Sequence, residues 1–307
     1  MGMKPSRNSS RIHNKNYWVF MDIYRDIMYN SAHALDLYVP RKRNSTVVIF
    51  VHGGAWLMGD KSRTEPQCKL LAHHGYTVVS CNYTLCGMHV IARAMLFWCS
   101  ILGVIVLLLN RTRLVYIVGY LCLCIFGWIF YVIETASPQH ITDVELVLDW
   151  VKDNLHAFAD HSKRILIGHS AGAHLACLLA SRRYMDVHGV VAISGVYSLS
   201  RLNDVTGGDW LLDTAFGPLD DFSKYSPVVN VHQHCPPHLL INAKIDVTLQ
   251  RHAWDMTLSL KEHGVFVQAM TVPGDHLSVM RKWEEPTNQV FSTILRFITE
   301  VANLSAP

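Results

Sequence analysis

Apolar and polar positions alternate between two periods along most of this chain. Residues 46–51 (TVVIFV) and 76–82 (YTVVSCN) are short runs rich in β-branched side chains, each closed by polar or glycine positions, and predict buried strands. A short helix over 67–74 fits between them. From Ile141 the period lengthens. Ile141, Val144, Val147, Leu148, Val151 and Leu155 fall on one helical face, and Thr142-x-x-Glu145 has the form of a capping box at its start. Strands are predicted over 164–167, 190–194, 238–242 and 265–271. Helices are predicted over 171–181, 252–263 and 290–301, the last with its stripe at 290, 291, 294, 298 and 301. Strands that alternate with helices predict an α/β fold: a mostly parallel sheet covered by helices on both faces. Residues 200–235 break the alternation and read as a small cap-like excursion, and residues 1–15 as a polar tail.

One stretch obeys neither period. Residues 94–109 and 114–133 carry no charged side chain and are joined by Asn110-Arg111-Thr112-Arg113. At about 1.5 Å per residue the second run reaches roughly 30 Å, the thickness of a bilayer core. The segment 86–133 therefore reads as a hydrophobic helical hairpin that crosses or dips into a membrane, inserted in the domain spanning 16–307.

Composition narrows the classes. The chain has 307 residues, a net charge of +3 and 17% charged residues. That gives no basic stripe for nucleic acid. Eight scattered cysteines form no disulfide pattern, and the 18 histidines form no paired ligand spacing, so neither metal nor cofactor is expected. The N-terminal residues lack the apolar core of a signal peptide. With Arg111 and Arg113 in the hairpin turn the orientation signals conflict. The expectation is an endomembrane association with the domain over 16–307 on the cytosolic side. If 86–133 were an artefact of the gene model, the remainder would read as a soluble cytoplasmic protein.

The chemistry lies in three places. Gly168-His169-Ser170-Ala171-Gly172 sits where a strand turns into a helix, the context that G-x-S-x-G requires. A sharp strained turn there projects the Ser170 hydroxyl as a nucleophile and aims the following amides at the reaction centre. His52-Gly53-Gly54-Ala55-Trp56 follows an earlier strand and suits an oxyanion hole. An acid and a base must follow in order. Asp246 and His276 stand at the ends of two later predicted strands, where ligands bind in open parallel sheets. Asp275 adjoins the base, but neighbours in sequence point apart, so Asp246 is the expected partner.

These residues resemble the α/β-hydrolase fold, and within it the esterase group of hormone-sensitive-lipase-like carboxylesterases, kynurenine formamidases and isoprenylcysteine methylesterases. The resemblance runs through ALDLYVP (34–40), VVIFVHGGAWLMGDK (47–61), NYTL (82–85), IGHSAGAHLA (167–176), SGVYSL (194–199) and the Asp246 and His276 segments. It implies an acyl hydrolase with the catalytic residues Ser170, Asp246 and His276, and with oxyanion donors among Gly53, Gly54, Ala55 and Ala171. Ala55 replaces the third glycine of hormone-sensitive-lipase relatives and leans toward the other two branches. Removing 86–133 leaves text close to the uninterrupted family pattern. Three functions are compatible with these features. The first is hydrolysis of a small-molecule, lipophilic carboxylic ester beside membrane lipid. The second is arylformamide hydrolysis, and the third a catalytically silent membrane-bound interaction module.

Overall fold

The computed structural model describes residues 21–86, 138–155, 163–217, 221–246, 248–281, 283 and 289–304. The tail over 1–15 and, Cys86 apart, the hairpin over 86–133 lie outside these described residues. Among the described residues no helix is long and apolar enough to cross a membrane.

Eight strands among the described residues form one sheet: β1 (Met21–Met28), β2 (Ala34–Pro40), β3 (Thr46–Val51), β4 (Thr77–Cys81), β5 (Lys163–His169), β6 (Gly189–Ile193), β7 (His238–Ile245) and β8 (Val267–Asp275). Their order is β1-β2-β4-β3-β5-β6-β7-β8. β1 and β2 are antiparallel, and every pairing from β4 through β3 to β8 is parallel. The fold is thus the α/β-hydrolase type. Parallel strands must be covered on both faces, and the side chains of β3 divide accordingly. Val47, Ile49 and Val51 join one apolar cluster, while Val48 and Phe50 join the other.

Helices α2 (Gln139–Asn154), α3 (Ala171–Arg182) and α6 (Leu249–Glu262) close the first face. The second is closed by α1 (Glu65–His73) and α8 (Gln289–Asn303). Fully burying one Leu, Ile, Val or Phe stabilises by about 1.5–3 kcal/mol, so the two clusters supply the main cohesion. Between β6 and β7 lie α4 (Leu199–Asn203), α5 (Gly208–Phe216) and two short 3-10 turns, Ser223–Tyr225 and Pro227–Val229. The remaining helix, α7 (Ser278–Arg281), follows β8 directly.

Several boundaries differ from expectation. α2 begins at Gln139 behind Pro138, so Thr142 lies inside the helix and caps nothing. Proline, with φ held at −70°, already sets the chain for the first turn. β7 and β8 run on to Ile245 and Asp275, because pairing between them continues past the apolar stretch through Ala243↔Val272 and Ile245↔Asp275. β1 and β2 were not expected. β1 is an edge strand with no fully buried position, so no apolar period marks it.

The two ends of the undescribed stretch 87–137 are tied together. Thr84 donates through its amide and its hydroxyl to one oxygen of Asp143, at 2.8 and 2.6 Å, and Asn30 donates to the other at 3.0 Å. Cys86 Sγ lies 3.9 Å from His140 Nδ1.

Candidate active site

The nucleophile candidate is held by backbone sterics. Ser170 joins β5 to α3 with φ 54° and ψ −118°, a conformation that costs a non-glycine residue about 1–3 kcal/mol. The flanking glycines make it possible. A Cβ at Gly168 would lie 2.2 Å from the Gly172 carbonyl oxygen, and one at Gly172 would lie 2.1 Å from that of Val51. The Ser170 amide donates to Ile193 O at 2.8 Å, which anchors the turn to β6. Ser170 itself is half-buried, and its hydroxyl makes no hydrogen bond among the described residues.

The loop after β3 packs against this turn. A Cβ at Gly53 would approach Ser170 Cβ to 3.2 Å and His169 O to 2.8 Å. Gly54, at φ 136°, accepts from the amides of Leu57 and Met58, both at 3.0 Å. Ala55 and Trp56 also have positive φ, 52° and 60°. The strain is held in place by packing. The buried Trp56 indole stands edge-on to His174 and Phe216, with ring centroids at 5.2 and 5.1 Å. No turn or side-chain hydrogen bond claims the amides of Gly53, Gly54 or Ala55 among the described residues. Ala171 is the first residue of α3, so its amide has no acceptor within the helix. Of the four predicted oxyanion donors, Gly53 packs against Ser170 and Ala171 follows it in sequence, while Gly54 and Ala55 continue the loop from Gly53.

The predicted acid and base are in contact. His276 Nδ1–H donates to Asp246 Oδ1 at 2.7 Å. Burial works to raise the Asp246 pKa. The hydrogen bond from His276, joined by the neighbouring Ser194 hydroxyl, outweighs it and holds the carboxyl below its ordinary value. Asn242 donates to the other carboxylate oxygen at 3.5 Å and to Leu249 O at 3.3 Å. Asp275 turns elsewhere: its Oδ1 accepts from the amides of Leu277 and Ser278, each at 2.9 Å, and so builds the turn after β8. No hydrogen bond joins Ser170 Oγ to His276 among the described residues. The two are linked instead through His169, whose Nε2–H donates to the His276 carbonyl at 2.9 Å.

His169, Asn242 and Ser194 were not singled out in the sequence. His169 occupies the open position of G-x-S-x-G and carried a visible signal. The other two act through tertiary contacts that no local pattern announces. Burial, reinforced by the neighbouring His276, lowers the His169 pKa to about 4, so it stays neutral near pH 7. Its single proton must then sit on Nε2, since a carbonyl only accepts.

The BD-FAE family profile matches residues 35–96 and 130–253, more than half of the chain. The chain belongs to the BD-FAE family. The BD-FAE match breaks over 97–129, inside the apolar hairpin segment. It covers Ser170, the loop after β3 and Asp246. Isoprenylcysteine alpha-carbonyl methylesterase of Arabidopsis thaliana is 25% identical over a 264-residue alignment that covers 76% of this chain and 51% of that protein. The chain therefore spans about half the length of that curated relative.

Two solved structures share the fold of this BD-FAE chain. One is a truncated carbohydrate esterase from gut microbiota, with TM-score 0.68, 16% identity, 94% of this chain and 99% of that chain covered. The other is a Pyrobaculum calidifontis esterase, with TM-score 0.66, 20% identity, and 92% and 86% covered.

Proposed function

We propose that this protein is a serine hydrolase that cleaves carboxylic esters through an acyl-enzyme. The observation that carries this reading is the joint placement of a strained Ser170, unclaimed amides beside it and a His276–Asp246 pair behind it. Ser170 Oγ attacks the ester carbonyl while His276 Nε2 takes its proton. The oxyanion is held by amides among Gly53, Gly54, Ala55 and Ala171, each worth about 10²–10³ in rate. His276 then protonates the leaving alcohol, and the C–O bond breaks. A water molecule, deprotonated by the same imidazole, attacks the acyl-enzyme and releases the acid and Ser170. Asp246 holds the imidazole tautomer and steadies the imidazolium. Neutral His169 adds no second positive charge beside the imidazolium.

The substrate class follows from the segment 86–133. Its two uncharged runs support a membrane-docking hairpin, and the break in the family match supports an insertion into an otherwise complete hydrolase. Its position supports delivery of substrate from lipid. Cys86 donates its amide to Trp56 O at 2.8 Å, on the loop that would bind the oxyanion. The favoured substrate is thus a lipophilic ester, an acyl lipid or a prenylcysteine methyl ester, in keeping with the methylesterase relative.

The test is a panel of esters from short and water-soluble to long-chain, given to the full chain and to a chain that joins Leu85 to Glu134. Because Thr84 and Asp143 already tie the two ends, the shortened chain should fold and turn over the short ester at a rate within severalfold of the full chain. It should lose membrane binding and at least tenfold in rate on long-chain esters. Absence of short-ester turnover by the full chain refutes the hydrolase reading. Aggregation of the shortened chain refutes the insertion.

A further inference from the structure

We propose that His169 is a positioning residue, which sets the distance between nucleophile and base by clamping the His276 main chain to the turn that carries Ser170. The inference rests on the Ser170–His276–Asp246 reading and adds a residue to it.

The need for a clamp is visible in the His276 segment. The His276 side chain is 33% exposed and lies between β8, at the edge of the sheet, and the four-residue helix α7. The side-chain hydrogen bonds of Asp275 shape this turn from within, and the pairing of β8 with β7 ends at Ile245↔Asp275, one residue before His276. The bond to Asp246 orients the ring, and the strand pairing that holds β8 stops short of the His276 backbone. Among the described residues, the hydrogen bond that ties the His276 backbone to the nucleophile element comes from His169, at 2.9 Å. Since His169 is covalently joined to Ser170, the path from nucleophile to base is two residues and one hydrogen bond long.

Histidine suits the task. The acceptor is a carbonyl, so the clamp must be a donor, and the site is buried, so the donor must need no water. The other edge of the ring fits against the loop after β3: a Cβ at Gly53 would lie 2.8 Å from His169 Nδ1. One side chain thereby touches all three parts of the site. It takes no part in proton transfer, because Nε2 is committed to a carbonyl and the ring is buried. The two imidazole rings lie 4.8 Å apart, tilted by 40°. Displacing a catalytic group by about 1 Å can cost on the order of 10² in rate.

The experiment compares His169→Met, which keeps the length and loses the donor, with His169→Gln, whose amide can reach the same carbonyl. Steady-state kinetics on a short soluble ester and fluorophosphonate labelling are read on both, with folding checked by thermal melting. The Met variant should lose about a hundredfold in kcat with KM within twofold of wild type, and the Gln variant should recover to within fivefold of wild type. If Met does not fold, His169→Asn replaces it, an amide one methylene too short, and should be as slow as expected for Met. Equal rates in the donor-bearing and donor-less variants, whether both fast or both slow, overturn the inference. Failure of wild type to label would instead overturn the triad reading.

Discussion

The Ser170 turn and the His276 turn serve one proposed reaction but are built in opposite ways. Ser170 sits between two glycines, where an added Cβ would meet backbone at 2.1–2.2 Å, and its amide is anchored to β6. His276 sits on a part-exposed turn behind an edge strand and is placed by the hydrogen bond it donates to Asp246 and the one it accepts from His169. The proposed nucleophile is positioned by steric exclusion, the proposed base by directional contacts. Steric placement is all-or-none under mutation, whereas hydrogen-bonded placement should fail by degrees.

The largest expected effect is on the base side. Asp246→Asn should lower kcat/KM by about 10⁴, since an amide can stabilise the wrong tautomer. Asp275→Asn should change it by less than about threefold. The reverse result would assign the acid to the wrong residue. On the nucleophile side, Gly172→Ala forces a Cβ onto the Val51 carbonyl and should cost about 3 kcal/mol or more of stability by denaturant unfolding. Gly207→Ala is the control. It has positive φ but nothing within 4 Å of the new Cβ, and should cost only about 1 kcal/mol. Similar losses at both positions would remove the steric half of the comparison.

A smaller effect concerns pH. His174, one turn after Ser170, is buried and neutral: burial, with Arg182 adding to it, lowers its pKa from 6.5 to about 4 despite the hydrogen bond to Tyr225 O. The folded state therefore binds fewer protons than the unfolded chain between these values, and stability falls as pH drops. The contribution is complete above about 6.5. It declines by about 1.4 kcal/mol per pH unit toward 4, where the folded form also takes the proton. His174→Gln should flatten the stability profile between pH 6.5 and 5.5 by about 1 kcal/mol, since the slope is only half developed at 6.5. An unchanged slope would show that His174 does not contribute.

The same contrast explains what could be read from the sequence. The β3, β5 and β6 strands are buried runs, and the G-x-S-x-G turn needs its glycines for local reasons, so both were legible. The loop after β3 was legible for a related reason, since two successive glycines mark close backbone approach. Asp246 and His276 could be placed at strand ends only because the parallel fold was already inferred, and the strands themselves ran three to four residues past the predicted ends. β1 escaped because an edge strand need not alternate, and the start of α2 was misplaced because Pro138 had already set the turn. The motif marks the position of His169, but its contact with His276, like those of Asn242 and Ser194 with Asp246, depends on which elements become neighbours, and no local period carries that information.

The central claim is that the glycine-caged turn defines the nucleophile. The direct measurement is to label the full chain with a fluorophosphonate and map the adduct by peptide mass spectrometry, alongside Ser170→Ala. The account predicts a single adduct on the peptide containing Ser170, absent from a Ser170→Ala protein that melts at the wild-type temperature. An adduct on another serine, or undiminished labelling of that variant, would contradict it.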